Sequence, residues 1–329
     1  MKYNETLMIP RAIVEDLYGM DEALEVVEEA FKQHGLGRAR MPAKLYLDLP
    51  EVNGDFRAMP SYMPGLKAAG VKWVNSHPDN PARGYPTVLA VLILNDPETA
   101  WPLAIMDATY ITMIRTGAGG GVAAKYLARE DSYVVALVGC GIQARSQLDA
   151  LQRIFALKTV KLYDPNPAAV KSLRAAFSGA KYAFMPAESV KDCVTGADIV
   201  VTTTPSRKPV VMREWLYDGT HINAIGADAA GKQELHPEIL KRGKVVVDDF
   251  PQAMHSGEVN VPLHDNVMRE EHIYASIGEV IAGLKKGRTN NQEITVFDST
   301  GLAIQDLASA RFVYDKCVKK GLGTKIKLV

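Results

Sequence analysis

The sequence has few cysteines, no excess charge of either sign and no long hydrophobic segment. Its three cysteines are far apart without a C-x-x-C pair, and its seven histidines show no metal-ligand spacing. Lys+Arg and Asp+Glu both number 38, so net charge gives no reason to expect nucleic acid or an anionic membrane as a partner. The longest purely apolar run, residues 88–94, is far shorter than the ~20 residues that span a bilayer, and the N-terminal residues lack a signal-peptide pattern. We therefore expect a cytoplasmic protein with reduced thiols and no metal site.

The region Tyr133–Asp164 has the pattern of a dinucleotide-binding βαβ unit. An apolar, β-branched-rich run at 133–138 predicts a buried strand, and it leads into Gly139-Cys-Gly-Ile-Gln-Ala144. Apolar residues then recur every three or four positions, which predicts a helix with one buried face. Residues 159–163 predict a second strand, which is followed by Asp164.

Each residue type in the glycine turn has a physical role in binding a pyrophosphate. Gly139 permits the tight turn, Gly141 lets the backbone approach the phosphates, and Ala144 allows the helix to pack closely on the strand. The first helical turn, which includes Ile142 and Gln143, offers N–H groups to the phosphates, and the helix dipole favours negative charge there. A lone G-x-G-x-x-A motif can be an ordinary turn, but this one lies between the right elements.

Asp164 predicts which dinucleotide is bound. It follows the second strand, where an acidic side chain binds the adenosine ribose hydroxyls. A carboxylate at this point would repel the 2′-phosphate of NADP, and no arginine follows in Pro165-Asn-Pro167. The sequence therefore favours NAD over NADP.

The chain as a whole predicts an α/β protein of two domains. Residues 1–120 contain one amphipathic helix, at 20–34, and several short strands in succession, including one at 87–95, as in an antiparallel or mixed sheet. Residues 121–301 alternate strands and helices, as in a Rossmann doubly wound parallel sheet. Residues 302–329 begin with a helix that follows the last strand of that sheet, and we expect them to rejoin the first part as a second, α+β domain.

Polar side chains close three of the predicted parallel strands. Ligands bind beyond the carboxyl ends of such strands, which makes these residues candidates for cofactor contacts and chemistry. The clusters are residues 202–206, with Thr203 and Thr204; residues 226–232, with Asp228 and Lys232; and residues 298–301, with Ser299. Ordinary turn chemistry explains any single cluster equally well. Asp228 follows an apolar strand and could transfer a proton near a nicotinamide ring.

Four basic residues of the first domain lie within or beside apolar runs: Lys44, Arg57, Lys72 and Arg115. A solvated strand face explains any one of them. Four cations that converge on a cleft would instead suit a carboxylate substrate, because arginine offers a two-pronged grip and a partly buried lysine can polarise a carbonyl. The glycine-rich residues 117–121 either allow close packing of neighbouring elements or admit a bulky ligand.

The sequence resembles the ornithine cyclodeaminase/mu-crystallin family over nearly its whole length. The segments that carry the resemblance occur in order and include FRAMPSYM, VKWVNSHP, IRTGAGGGVAAKYLA, VGCGIQAR, INAIGAD and FDSTGLAIQD. The resemblance implies a homodimer formed through the N-terminal domain, with the active site between the domains. It also implies catalysis by Lys72 and Asp228, binding of the substrate carboxylate by Lys44 and Arg115, and binding of NAD by Gly139, Gly141, Ala144 and Asp164, with Thr87, Thr203 and Ser299 as further contacts.

One position separates the branches of this family. Cyclodeaminases carry an acid before the Leu/Ala-Met-Pro turn, where it helps bind the distal ammonium of a diamino acid, and this sequence has Arg57 there. A cation would repel that ammonium and attract the carboxylate of a small 2-oxo acid. The sequence is therefore most similar to the archaeal-type alanine dehydrogenases of the family, which implies NAD-dependent, reversible reductive amination of pyruvate with ammonia.

Three other functions stay open at this stage. A reductase of cyclic imines, such as pyrroline- or piperideine-2-carboxylate, needs the same hydride geometry and carboxylate grip but no ammonia step. An ornithine cyclodeaminase would need a partner for the second ammonium group. A binding protein of the mu-crystallin type would hold a nicotinamide nucleotide with little turnover, although the presence of both Lys72 and Asp228 favours an enzyme.

Overall fold

The structure is a computed structural model that describes residues 4–328. The chain divides into two compact units, and the N-terminal unit takes in both ends of the sequence. It comprises Met1–Arg115 and Leu302–Val329, whereas the second unit is Thr116–Gly301. The division after Arg115 lies near the boundary that we placed after residue 120, and the roles assigned to the two parts stay predictions.

Strands and helices alternate along most of the second unit and are grouped in the first. Among the described residues the strands, in chain order, are β1 (Thr6–Ile9), β2 (Leu45–Leu49), β3 (Gly54–Met63), β4 (Ala68–Ser76), β5 (Ala90–Asn95), β6 (Pro102–Asp107), β7 (Val134–Val138), β8 (Thr159–Tyr163), β9 (Ala183–Pro186), β10 (Ile199–Thr202), β11 (Arg207–Val211), β12 (His221–Ala224), β13 (Gln233–Leu235), β14 (Lys244–Val247), β15 (Ile273–Ser276), β16 (Thr295–Asp298) and β17 (Thr324–Ile326). The α-helices of the same residues are α1 (Arg11–Leu17), α2 (Met20–Gly35), α3 (Thr109–Leu127), α4 (Ile142–Ile154), α5 (Pro167–Ala176), α6 (Val190–Val194), α7 (Pro237–Arg242), α8 (Phe250–Ser256), α9 (Asn260–His264), α10 (Ile277–Ile281) and α11 (Ala303–Lys320).

The N-terminal unit is built on a seven-stranded mixed sheet. Its strand order is β17-β1-β6-β5-β4-β3-β2; β1 is parallel to β6, and the other neighbours are antiparallel. Helix α11 packs on α2 and on the central strands β3, β4 and β5. The apolar stripe of α2 faces this core, with Val27 and Phe31 buried. The strand that we predicted to begin at Thr87 starts only at Ala90.

The two faces of this sheet have different surroundings. Met59 of β3 pairs with Lys72 of β4, and both side chains are buried on the face that the helices cover. The opposite face remains accessible and carries five large apolar side chains, which we call the open sheet face: Leu45, Leu47, Trp73, Val91 and Ile93. Side chains alternate between faces along a strand, which explains why neighbouring residues of β4 differ so sharply in burial.

The second unit contains an eight-stranded, entirely parallel sheet. The strand order is β15-β14-β16-β12-β10-β7-β8-β9. Numbered in chain order and read from β9, the strands run 3-2-1-4-5-8-6-7. The first five follow the Rossmann order, with the chain reversing direction across the sheet between β7 and β10. Apolar clusters cover both faces, as expected for buried parallel strands. The predicted doubly wound fold is confirmed.

The glycine-rich stretch of α3 serves close packing against α4. A Cβ atom at Gly117 would lie 2.3 Å from the carbonyl oxygen of Ser146, and one at Gly120 would lie 2.0 Å from Oε1 of Gln147. Of our two interpretations of these glycines, the structure thus supports close packing. Within residues 4–328 no helix is both long and apolar enough to cross a bilayer.

Candidate active site

The glycine turn joins β7 to α4 and has the geometry that a bound pyrophosphate requires. Gly139 has φ +92°, a conformation that side chains rarely adopt, and a Cβ there would lie 2.8 Å from Oγ1 of Thr203. Gly141 caps α4, and a Cβ added to it would project into open space. Gly139 is buried and allows the tight turn against Thr203, whereas Gly141 is exposed and leaves the backbone accessible at the start of a helix, where backbone N–H groups attract anions.

Asp164 is anchored beside this turn by backbone hydrogen bonds. Its Oδ2 accepts from the N–H of Cys140 at 2.8 Å, and its Oδ1 accepts from the N–H of Asn166 at 2.8 Å. Each carboxylate oxygen has a second lone pair for a ribose hydroxyl. The geometry thus fits a nucleotide whose ribose lies against the end of β8.

The remaining predicted cofactor residues follow the strands of the second half of the sheet. Thr203 donates from Oγ1 to the carbonyl of Gly139 at 3.3 Å, so the ends of β10 and β7 are joined. Ser299 is buried, and its N–H donates to the carbonyl of Ala224 at 3.0 Å. Thr87 is different: it belongs to the N-terminal unit, and its carbonyl accepts from the N–H of His77.

Asp228 and Lys232 form an ion pair in the loop between β12 and β13. Lys232 Nζ lies 2.6 Å from Asp228 Oδ1, and both side chains are partly exposed. The side chain of Asn260 accepts from the N–H of Gly231 at 3.0 Å and donates to the carbonyl of Lys232 at 3.1 Å. This loop is therefore held at its far end while the carboxylate of Asp228 stays accessible to a ligand.

In the N-terminal unit, two of the predicted basic residues meet at one buried acid. Lys72 Nζ lies 2.6 Å from Oδ2 of Asp306, and Arg115 Nε lies 2.9 Å from Oδ1 of the same carboxylate. Lys72 Nζ also donates to Oγ1 of Thr112 at 3.2 Å, and Arg115 donates to Oε1 of Gln305 at 3.4 Å. Two cations share one carboxylate here, so the cluster carries an excess positive charge that suits an anionic ligand.

Burial sets the protonation of this cluster. Its surroundings together lower the pKa of Lys72 to about 7: desolvation is the largest cause, the Arg115 guanidinium acts in the same direction, and the Asp306 carboxylate opposes the change. Lys44 is close enough to contribute in the same direction as Arg115. Lys72 can therefore gain or lose a proton near neutral pH, as a residue with an acid–base role must.

Arg57 lies on the same covered sheet face, not on a solvated one. Its Nε donates to Oδ1 of Asp55 and its Nη2 to Oδ2, both at 2.9 Å, and its guanidinium lies 5.3 Å from the centre of the Tyr46 ring. Register places it two residues from Met59, the partner of Lys72. The two-pronged pair with Asp55 holds the guanidinium in a defined orientation.

Asp306 is the main residue of this cluster that our sequence analysis missed. It lies in the first turn of α11, between buried Gln305 and Leu307. A charged residue in an otherwise buried helical stripe is a signal that could have identified it. Among the described residues, no group of three or more His, Cys, Asp or Glu side chains could hold a metal ion.

The fold and the turn define a Rossmann dinucleotide-binding protein with a separate cationic cluster. The family model of the ornithine cyclodeaminase/mu-crystallin family matches residues 4–321, and the chain belongs to this family. It is 55% identical to an alanine dehydrogenase of Archaeoglobus fulgidus over 98% of both chains. It is 35% identical to a Delta(1)-pyrroline-2-carboxylate reductase of Bacillus cereus, over 95% of this chain and 97% of that one.

Solved structures of related enzymes superpose closely on this one. An archaeal alanine dehydrogenase dimer with bound NAD matches with a TM-score of 0.95 and 53% identity, over 99% of this chain and 100% of that one. A second match is Delta(1)-pyrroline-2-carboxylate reductase of Thermococcus litoralis in complex with NADH and L-proline. It superposes with a TM-score of 0.94 and 39% identity, over 98% of this chain and 100% of that one.

Proposed function

We propose that the protein is an NAD-dependent L-alanine dehydrogenase, which catalyses the reversible reductive amination of pyruvate with ammonia. The observation that carries the proposal is the buried cluster of Lys72, Arg115 and Asp306, in a chain 55% identical to an alanine dehydrogenase. Its excess positive charge suits the carboxylate of a small 2-oxo acid, and its lysine can exchange a proton near neutral pH.

The residues of the Rossmann unit fit NAD as the cofactor. Gly139 allows the tight turn, Gly141 leaves that turn open to a pyrophosphate, and Asp164 offers two anchored oxygens to the adenosine ribose. The nicotinamide half of NAD would lie at the ends of the strands in the other half of the sheet. Four proposed contacts follow those strands: Thr203, Thr204, Lys232 and Ser299. When bound, the nicotinamide supplies or accepts the hydride.

Lys72 and Arg115 act on the substrate in this proposal. The ammonium form of Lys72 donates a hydrogen bond to the carbonyl oxygen of pyruvate, which draws electron density from the carbon that ammonia attacks. Arg115 and Lys44 hold the carboxylate, and the guanidinium of Arg57, which Asp55 orients, is a further donor on the same sheet face. Asp306 orients Lys72 and Arg115 through its two oxygens.

Asp228 is the proposed proton shuttle. Addition of ammonia to a carbonyl and loss of water from the carbinolamine each require proton transfers, and a carboxylate can perform both. Lys232 Nζ lies 2.6 Å from the Asp228 carboxylate and holds it in a defined position. This role, like those of the other site residues, is a prediction.

A second candidate function is reduction of a cyclic imine. The matches to Delta(1)-pyrroline-2-carboxylate reductases favour it, because such a substrate also presents a carboxylate next to the carbon that receives the hydride. We propose, in addition, that the protein is a homodimer. Its location in the cytoplasm, and its lack of nucleic-acid and membrane partners, stay predictions from the sequence.

Oxidation of NADH, followed at 340 nm, separates these functions. Four reactions are compared: pyruvate with ammonium, pyruvate alone, pyrroline-2-carboxylate, and ornithine with its product assayed as proline. We expect rapid oxidation only in the first, with NADPH much less effective than NADH. Preferential oxidation with pyrroline-2-carboxylate would establish the second function, and NADH binding without turnover of any substrate would indicate a binding protein.

A further inference from the structure

A buried carboxylate, Glu234, joins two strand ends at the carboxyl edge of the Rossmann sheet. It lies on β13 and is fully buried. Its Oε1 accepts from the N–H of Thr204 at 2.6 Å, and its Oε2 accepts from the N–H of Gly226 at 2.8 Å and from Oγ1 of Thr202 at 2.7 Å. The loops that follow β10 and β12 are thus fixed to one side chain.

The backbone next to this carboxylate is closely packed. A Cβ at Gly226 would lie 2.2 Å from the carbonyl oxygen of Thr204 and 2.7 Å from Oε1 of Glu234. The backbones of the two loops therefore approach each other as closely as glycine allows. Burial raises the pKa of Glu234, while the hydrogen bonds from Thr202, Thr204 and Gly226 act against the rise and favour the ionised form.

Glu234 is itself positioned by two further buried acids. The carboxylate of Glu258 accepts from the N–H of Glu234 at 3.0 Å and from that of Leu235 at 2.6 Å. The carboxylate of Asp298, at the end of β16, accepts from the N–H of Glu258 at 2.8 Å and from that of Val259 at 3.1 Å. Each acid fixes the backbone that carries the next, so the position of the β16 end is transmitted to the ends of β10 and β12.

These strands belong to the second mononucleotide-binding half of the fold. The first half, β7 to β9, carries the glycine turn and Asp164, which serve the pyrophosphate and the adenosine. The second half begins with β10 and β12, whose carboxyl ends face the other end of a bound dinucleotide. Glu234 touches only backbone and Thr202 in the contacts described above, so any effect on a cofactor would act through the loops.

We infer that Glu234 is a positioning residue for the nicotinamide half of the cofactor. It holds the Thr204 and Gly226 loops in the conformation that receives the nicotinamide ribose and ring, and it has no part in binding the adenosine half. The inference rests on NAD as the cofactor within the proposed function, and it is independent of which imine or 2-oxo acid is reduced.

Glutamine cannot replace Glu234 without loss. Two backbone N–H groups approach different oxygens of the carboxylate, and an amide has only one oxygen. One N–H group would face the NH₂ of the amide and lose its acceptor, whereas the hydroxyl of Thr202 can rotate to accept. The change keeps size and shape but releases one of the two loops.

The test compares NADH with ADP-ribose, which lacks the nicotinamide half. Calorimetric titration of the full-length Glu234→Gln protein should show NADH bound about tenfold more weakly than by the parent, the effect of one buried hydrogen bond left unmade. ADP-ribose should bind within about twofold of the parent, because the glycine turn and Asp164 are unchanged. If the affinities for NADH and ADP-ribose fell equally, Glu234 would have only a structural role and the inference would be wrong. An unchanged affinity for NADH would also refute it.

Two further variants keep the result interpretable. Glu293→Gln is the matched control: Glu293 accepts from the N–H of Thr289 at 2.9 Å, at the opposite, amino end of β16, and neither ligand should lose affinity. Thr202→Val removes one donor to Glu234 with little change in shape, and it should weaken NADH selectively by a smaller factor. If Glu234→Gln does not fold, Thr202→Val decides the question, and equal affinity for NADH in this variant and the parent would overturn the inference. A parent protein that binds ADP-ribose and NADH equally poorly would instead refute the cofactor assignment.

Discussion

At the scale of single residues, Lys72 is the group whose protonation should control the reaction. Burial gives it a pKa of about 7, below its ordinary value of 10.5. The proposed amination needs the ammonium form, which is present below that pKa and lost as pH rises through it. We therefore expect kcat/KM for pyruvate, measured at constant free ammonia, to fall as pH increases above about 7. Alanine oxidation needs the neutral amine of Lys72, so kcat/KM for alanine should rise over the same pH range.

Asp306→Asn should move this pH profile in a defined direction. The carboxylate of Asp306 raises the pKa of Lys72, so its removal lowers that pKa further. The fall in kcat/KM for pyruvate at alkaline pH should therefore begin at a lower pH than in the parent. Asp315→Asn is the control, because Asp315 lies on the same helix but pairs with Arg311 at the surface. A loss of activity in Asp306→Asn at every pH, without a shift of the profile, would contradict a role in controlling the proton on Lys72.

Arg57 tests the choice of a 2-oxo acid as substrate. Loss of a buried cation that binds a carboxylate costs ~2–5 kcal/mol, so Arg57→Ala should lower kcat/KM for pyruvate by about thirtyfold to a few thousandfold. Arg57→Lys keeps the charge but loses the two-pronged contact with Asp55, and it should retain intermediate activity. NADH affinity, measured by fluorescence titration, should change little in either variant. Activity of Arg57→Ala within about twofold of the parent would remove the argument against cyclic imines.

At the scale of elements, the β8 end should determine cofactor preference. Asp164 is held by the N–H groups of Cys140 and Asn166, so its negative charge has a fixed place beside the glycine turn. Asp164→Ser removes the charge that repels a 2′-phosphate and weakens the contact with the ribose hydroxyls. The ratio of kcat/KM for NADH to that for NADPH should fall steeply or reverse. An unmodified enzyme that uses both cofactors equally would contradict this assignment.

The contact between α3 and α4 should tolerate no side chain at Gly117. A methyl group there would meet the backbone carbonyl of Ser146, which cannot rotate away as a side chain could. Gly117→Ala should lower the free energy of unfolding by about 1–3 kcal/mol, despite the better helix propensity of alanine. Gly179→Ala is the control, because a Cβ there would meet nothing within 4 Å, and its effect should stay under about 0.5 kcal/mol. Urea unfolding measures both, and equal stability of Gly117→Ala and the parent would show that the helices can separate.

The sequence could predict those strands and helices that follow from a local residue pattern. The strand, glycine turn and helix of the βαβ unit follow from spacing over about 30 residues, and the structure contains β7, α4 and β8 there. Asp306 and Glu234 could not be assigned in this way. The buried helical stripe around Asp306 is a local signal, but its partners Lys72 and Arg115 meet it only when α11 returns beside β4. Glu234 gains its partners only when the loops after β10 and β12 converge on β13. Contacts between distant parts of the chain leave no periodic signal.

At the scale of the whole molecule, the open sheet face is the surface on which we expect two chains to associate. Its five apolar side chains are each more than a third exposed in the single chain, and Trp73 stacks on Phe56 with ring centres 5.2 Å apart. A contiguous apolar face of this kind is typical of a protein–protein interface. The archaeal alanine dehydrogenase that superposes on this chain is a dimer, which favours a second copy of the chain as the partner.

We therefore expect a dimeric mass by light scattering at micromolar concentration and a monomer when a charge is placed on the open sheet face. Val91 is 48% exposed on β5, opposite Trp73 on that face, so Val91→Asp adds little strain to one chain but buries an unpaired carboxylate in the dimer. Such a charge costs several kcal/mol and should raise the dimer dissociation constant by about a hundredfold or more. Met185→Asp, at an equally exposed apolar position on β9, should leave the mass unchanged. A Val91→Asp protein that remained dimeric would place the interface elsewhere, since an isologous contact would bury two copies of the same charge.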